Sequence, residues 1–135
     1  MSGVIVDTCI WSLALRSKTP RNNEVAKELT KLITENRAKI IGSIRQEILS
    51  GYSDVTRYEK LRNKLQYFPN EQVIDSDYEL AAQYSNLCRV KGIQGSHTDF
   101  LICSVATRLK MSIYTYDKDF VYYSNHLPIS LHGES

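Results

Sequence analysis

The chemistry of this sequence rests on its acids. Asp7 closes the short apolar run Gly3-Val4-Ile5-Val6, and Asp117 closes Ser112-Ile113-Tyr114-Thr115-Tyr116, with Asp119 two residues further on. Glu47 falls in the first turns of a helix after Lys39-Ile40-Ile41-Gly42, and Asp99 falls in the first turn of a helix that Thr98 begins. In open α/β sheets, ligands bind beyond the carboxyl ends of the strands. Asp7, Glu47, Asp99 and Asp117 come from four separate elements, and each is expected at that one edge. Each also has a local explanation. Asp7 could cap the turn that follows, and Asp117 could be a turn residue. Asp99 gains about 0.3–1 kcal/mol from a helix dipole, and Glu47 could be merely solvated. Capping does not, however, require four acids at one edge. Crowded carboxylates repel, so without a cation at least one should titrate high. Hard divalent ions such as Mg²⁺ or Mn²⁺ take carboxylate and water oxygens and need no His or Cys. Such ions lower the pKa of bound water, and a pair about 4 Å apart clamps both the attacking and the leaving oxygen. The chemistry this implies is hydrolysis of a phosphodiester.

The elements that must position these acids alternate. Val4 to Val6 reads as a buried strand, followed by a short helix or turn carrying Ile10, Trp11, Leu13 and Leu15. Residues 16–23 form a polar loop, after which Val25, Leu29, Leu32 and Ile33 recur at helical spacing. Lys39 to Gly42 is a second strand, and Ser43 with Gln46 forms a capping box for the Glu47 helix, which Gly51 can end. Asp54 caps a helix bearing Tyr58, Leu61 and Leu65, which Pro69 stops. Gln72-Val73-Ile74-Asp75 is a third strand candidate, with Ser76 and Glu79 as a second capping box. Leu80, Ala81, Tyr84, Leu87 and Cys88 make the next apolar stripe, which ends at Gly92. The Asp99 helix buries Leu101, Ile102, Val105, Ala106 and Leu109. Ser112–Tyr116 is the fourth strand, 117–125 a turn or short helix, and Leu127–Leu131 a weak fifth strand. This order predicts an α/β fold: a mainly parallel four- to five-stranded sheet with helices on both faces, one domain over residues 1–135.

Composition narrows the alternatives. With 42% hydrophobic and 24% charged residues the chain can bury a core, and a net charge of +2 permits nucleic-acid binding without suggesting it. Cys9, Cys88 and Cys103 are odd in number, share no Cys-x-x-Cys spacing and read as buried free thiols in a reducing compartment. The N-terminus does not read as a signal peptide, and no apolar run nears the roughly 20 residues that span a membrane. The expected setting is the cytoplasm, away from membranes. His97, His126 and His132 lack zinc-ligand spacing. Neither common glycine-rich phosphate loop appears, and there is no Gly-x-Ser-x-Gly elbow. A phosphatase working through an aspartyl phosphate would want a second acid two residues after Asp7, where Cys9 stands.

Taken together these segments resemble the PIN-domain endoribonucleases, and within them the VapC-type toxins of bacterial toxin–antitoxin pairs. The resemblance rests on Val6-Asp7-Thr8 with Trp11, on Ser43-x-x-Gln46-Glu47-x-x-x-Gly51, on Gly92 and Thr98-Asp99 running into a helix with Ala106, and on Thr115-Tyr116-Asp117-Lys118-Asp119-Phe120. It implies a Rossmann-like PIN sandwich and Mg²⁺- or Mn²⁺-dependent cleavage of RNA. By resemblance, Asp7, Glu47, Asp99 and Asp117 are the catalytic, metal-binding acids, Asp119 is an accessory metal-binding acid, and Thr8 and Thr115 orient the acids or bound water. It also implies a homodimer and a cognate antitoxin that blocks the acidic groove. The position of Cys9 is often Ser or Asn in relatives, which leaves a polar role there in doubt.

An acidic centre still needs basic residues to grip RNA phosphates. Arg16, Lys18 and Arg21 in the loop after Asp7, with Arg45 and Lys118 beside the acids, are the candidates, and Arg89 and Lys91 precede the Asp99 segment. Trp11 or Tyr116 could stack on a base, although core packing is the expected role. Two other functions fit the same sequence: a housekeeping RNA-processing nuclease without an antitoxin, and a binding module that has lost catalysis.

Overall fold

The structure is a computed structural model that describes residues 2–15 and 20–133, the first four of the latter stretch as backbone only. At its centre Val4–Val6 forms β1, paired in parallel with β2 (Ala38–Lys39) on one side and β3 (Ser112–Tyr114) on the other. The register sets Val4 opposite Ala38 and Ser112, and Val6 opposite Tyr114. Val4, Ile5 and Val6 are all buried, as a strand covered on both faces must be.

Among the described residues three strands form, where four or five were expected. The outer two positions shrink to single parallel bridges, Asn70 beside Ile40 and Leu131 beside Ile113. Leu131 falls where the fifth strand was expected. Gln72–Asp75 is not a strand, because Ile74 is already the N-cap of a helix and pairing with Ile40 takes place at Asn70 and Glu71 instead.

Helices flank the sheet. Thr8–Ala14 (α1) starts at Asp7, whose carboxylate accepts the Thr8 N–H, and packs on α2 (Pro20–Thr34) and α3 (Gly42–Ser50). The capping box expected at Ser43 and Gln46 does not form: α3 begins at Gly42, with Ile41 as its N-cap and no side-chain cap bond. Strand-like Ile40 and Ile41 run straight into the helix, so the cap position falls on an apolar residue. Asp54 does cap α4 (Val55–Leu65), accepting the Arg57 N–H at 3.0 Å. For α5 (Asp75–Val90) the acid that turns back is Asp77, which accepts the Ile74 N–H at 2.9 Å, and the Ser76–Glu79 box does not form. Gly92, at φ +78°, takes the left-handed position that ends α5.

Helix α6 (His97–Leu109) is buried continuously from Phe100 to Ala106. A helix that is apolar all round belongs in a core, and α6 packs on α5 and β3. The short α7 (Asp119–Ser124) buries Phe120 and Tyr123.

One ion pair fastens α5 to α6. Asp77 is 1% exposed, and Arg108 meets both of its oxygens, at 2.8 and 2.9 Å. Burial alone would raise the Asp77 pKa, but the Arg108 and Ile74 bonds outweigh it and the net shift is downward. Removing one partner of a buried pair strands the other charge, at a cost of about 3–5 kcal/mol. We predict that Arg108→Met lowers unfolding free energy by roughly 3 kcal/mol in urea titrations at neutral pH. A loss below about 1 kcal/mol would mean that Asp77 is solvated in the native state.

Candidate metal centre

The strand register builds the site. With Val6 opposite Tyr114, the next residues, Asp7 and Thr115, leave the sheet side by side. The Asp7 N–H donates to the Tyr114 carbonyl at 2.9 Å, and the Thr115 hydroxyl donates to Asp7 Oδ2 at 2.9 Å. The same hydroxyl oxygen accepts the Asp117 N–H at 3.0 Å. Asp117 Oδ1 in turn accepts the Asp119 N–H at 3.0 Å, at the start of α7. One threonine therefore sets the relation between the acids that end β1 and β3. Thr8 extends the chain of contacts: its hydroxyl donates to Glu47 Oε1 at 2.7 Å, joining α3 to the end of β1.

Asp99 arrives from α6. Ser96 caps that helix, accepting the Asp99 N–H at 3.0 Å, and the Tyr123 hydroxyl donates to Asp99 Oδ2 at 2.7 Å. Asp99, Asp117 and Asp119 each offer a carboxylate oxygen within 4.8 Å of the others. Asp119, expected only as an accessory, is thus part of the tightest group. Asp7 lies outside that trio, 6% exposed, yet close enough that the Asp99 charge contributes to its titration. Glu47 is exposed and tied in through Thr8.

Electrostatics make this arrangement costly without a cation. Burial lifts Asp7 above its ordinary 3.8, against the opposing bonds from Thr115, Thr8 and Cys9, and Asp99 adds to the rise. Burial likewise lifts Asp99, with the Asp117 charge adding to it. Among the described residues, the ion pairs Arg37–Glu35, Arg108–Asp77 and His132–Glu28 involve none of these acids. An all-oxygen donor set with uncompensated charge fits a hard divalent cation better than zinc or copper.

Several side chains differ from their expected roles. Cys9 is half-buried, and its Sγ contacts Asp7 Oδ2 and the Thr115 hydroxyl, each at 3.5 Å. Burial, then the Asp7 charge, push its thiol up to about 11, so it stays a weak donor at neutral pH rather than simple packing. Arg45, expected to grip RNA, has its guanidinium committed to Asn70 Oδ1 and the Leu65 carbonyl, both at 2.9 Å, and to the Phe68 carbonyl. It fastens α3 to the segment after α4. Trp11 is buried edge-on against Phe68 and donates to the Val6 carbonyl, which commits it to the core. Lys118, Arg89 and Lys91 are exposed. Arg16, Lys18 and the Arg21 side chain lie outside the described residues.

Tyr123, which bonds Asp99, is not among the residues expected at the site. The signal was its spacing: Asp119 and Tyr123 are four apart, hence on one face of α7. Nine tyrosines in the chain diluted it.

The family model described as PIN domain matches residues 4–125. Among solved structures, FitAcB from Neisseria gonorrhoeae is similar at 18% identity, covering 95% of each chain with a TM-score of 0.70. VapBC2 from Rickettsia felis, bound to a promoter DNA fragment, is similar at 16% identity, covering 95% of this chain and 96% of that one, TM-score 0.74. A toxin–antitoxin complex from Klebsiella pneumoniae is similar at 17% identity, covering 87% and 90%, TM-score 0.63. No curated protein sequence matches significantly.

The lifted carboxylates have a thermodynamic consequence. Between the ordinary value and the raised folded-state value, the native protein holds a proton that the unfolded chain has lost. Stability contributed by that proton is present at low pH and disappears as pH rises through the folded-state value. In metal-free protein, Asp99→Asn is predicted to raise the melting temperature at pH 7. Its advantage over wild type should grow as pH climbs from about 4. Parallel melting curves for the two proteins across pH 4–8 would show that Asp99 titrates normally.

Proposed function

The chain belongs to the PIN domain family, and on that premise we propose that it is a Mg²⁺- or Mn²⁺-dependent endoribonuclease, the toxin of a toxin–antitoxin pair. The observation that carries this reading is the convergence of Asp99, Asp117 and Asp119 beside buried Asp7, with no cation of the described chain paired to them. Asp7, Glu47, Asp99 and Asp117, with Asp119, would hold the ion. Such an ion supplies a nucleophilic water at neutral pH and offsets charge on the phosphodiester.

The protein's part is to orient and to bind. Thr115 fixes the Asp7 carboxylate and the Asp117 backbone together, and Thr8 steadies Glu47. Exposed Lys118, next to Asp117, with Arg16, Lys18 and Arg21, would hold the phosphates that flank the scissile bond. Arg45 is not part of that grip.

The toxin assignment is supported by relatives whose structures are complexes: FitAB and VapBC2 bound to DNA, and the Klebsiella pneumoniae toxin–antitoxin pair. On this reading the chain acts as a single domain over residues 1–135, as a homodimer in the cytoplasm, and a cognate antitoxin covers the acidic groove. No described helix is long and apolar enough to cross a membrane.

The test is direct. Purified protein should cleave RNA with added Mg²⁺ or Mn²⁺ and stop when a chelator is added. Outer-shell changes at metal sites cost about 10–100-fold, so loss of a ligand in Asp7→Asn or Asp117→Asn should exceed roughly 100-fold, with near-UV circular dichroism preserved. Induced expression should halt growth and leave new RNA ends that Asp99→Asn does not produce. Full-rate cleavage in chelator would sink the metal mechanism, and unimpeded growth would favour a housekeeping nuclease.

A further inference from the structure

Tyr123 is wholly buried, with its ring packed against Phe100 and Phe120 at centroid distances of 5.0 and 5.2 Å. A phenylalanine would fill the same apolar space. The hydroxyl instead reaches Asp99 Oδ2 at 2.7 Å, and the fold makes room for it. A Cβ built on Gly95 would sit 2.1 Å from that hydroxyl oxygen and 2.7 Å from the ring carbon that bears it. Only glycine at position 95 leaves the passage open. Gly95 immediately precedes Ser96, the residue that caps α6 and accepts the Asp99 N–H. Two neighbouring residues thus bear on Asp99: Ser96 accepts its backbone N–H, and Gly95 leaves space for the hydroxyl that reaches its carboxylate.

A carboxylate rotates in a broad, shallow well. A donor fixed by two aromatic neighbours narrows that well. We infer that Tyr123, admitted by Gly95, is a positioning residue for the metal-binding acid Asp99: it holds Oδ2 and leaves the other oxygen to the group with Asp117 and Asp119. The role rests on the reading that these acids bind a divalent ion. Hydrogen-bond partners of metal ligands are worth about 10–100-fold in metal affinity.

The test uses Mn²⁺ as probe, with binding followed by loss of the free-ion electron paramagnetic resonance signal in full-length wild type, Tyr123→Phe, Gly95→Ala and the double variant. Melting of each metal-free protein is recorded alongside. Tyr123→Phe should weaken Mn²⁺ binding about tenfold while its metal-free melting temperature stays within a few degrees of wild type. Gly95→Ala, which keeps the hydroxyl but displaces it, should weaken binding similarly. The double variant should bind no more weakly than Tyr123→Phe, because both changes break the same contact. Unchanged or tighter Mn²⁺ binding in Tyr123→Phe overturns the positioning role. So do additive losses in the double variant, since independent structural damage would add. Absence of Mn²⁺ binding by wild type would instead overturn the metal-centre reading on which the role rests.

Discussion

The structure depends on a parallel register of three residues. Because β1 and β3 pair with Val6 opposite Tyr114, Asp7 and Thr115 must leave the sheet as neighbours. The Thr115 hydroxyl then spends its proton on Asp7 and its lone pair on the Asp117 backbone. A slip of one residue would send each side chain to the opposite face and dissolve the centre, whatever the acids' identities. Short strands normally specify register weakly. Here the ends of the buried run specify it, because a slip would bring Gly3 or Asp7 into a core position held by a β1 valine, so packing of the core and assembly of the acids are one event.

Like charges are held together against their repulsion by what surrounds them. Asp7 is anchored by the Thr8 N–H, the Thr115 hydroxyl and the Cys9 thiol. Asp99 is anchored by its own helix start and by Tyr123. These bonds are neutral, so they orient without cancelling charge. A cationic side chain in their place would have stabilised the empty site and competed with an incoming ion. Contrast Asp77, where Arg108 closes both oxygens and the pair is structural. The chain uses the two solutions at two places: compensation where the fold needs a fastening, and its omission among the clustered acids.

Much of this was legible in the sequence, for identifiable reasons. Apolar runs that end in acids marked β1 and β3, and the helical spacing around Asp54, Ala81 and Leu101 marked α4, α5 and α6. What failed was local chemistry overridden by tertiary geometry. Ser43 and Gln46 form a plausible box, but the helix is capped two residues earlier, at Ile41. Gln72–Asp75 looks strand-like, yet the pairing position is taken at Asn70. Arg45 stands two residues before Glu47 and invited a role beside it, but its side chain turns to the carbonyls after α4. The spacing from Asp119 placed Tyr123 on one face of α7, but its bond to Asp99 depends on its ring meeting Phe100 of α6 and on the gap at Gly95, which no spacing rule conveys.

Asp7 serves two ends, and this bears on how such chains age. It caps α1 through Oδ1. A copy released from selection for activity would still be selected to fold, so the Asp7 position would resist drift. Glu47 and Asp119, both exposed, carry less of the fold and would be lost first. In degenerate descendants, the surviving strand-end aspartate would therefore be a relic of architecture, and the outlying acids the truer mark of a working enzyme.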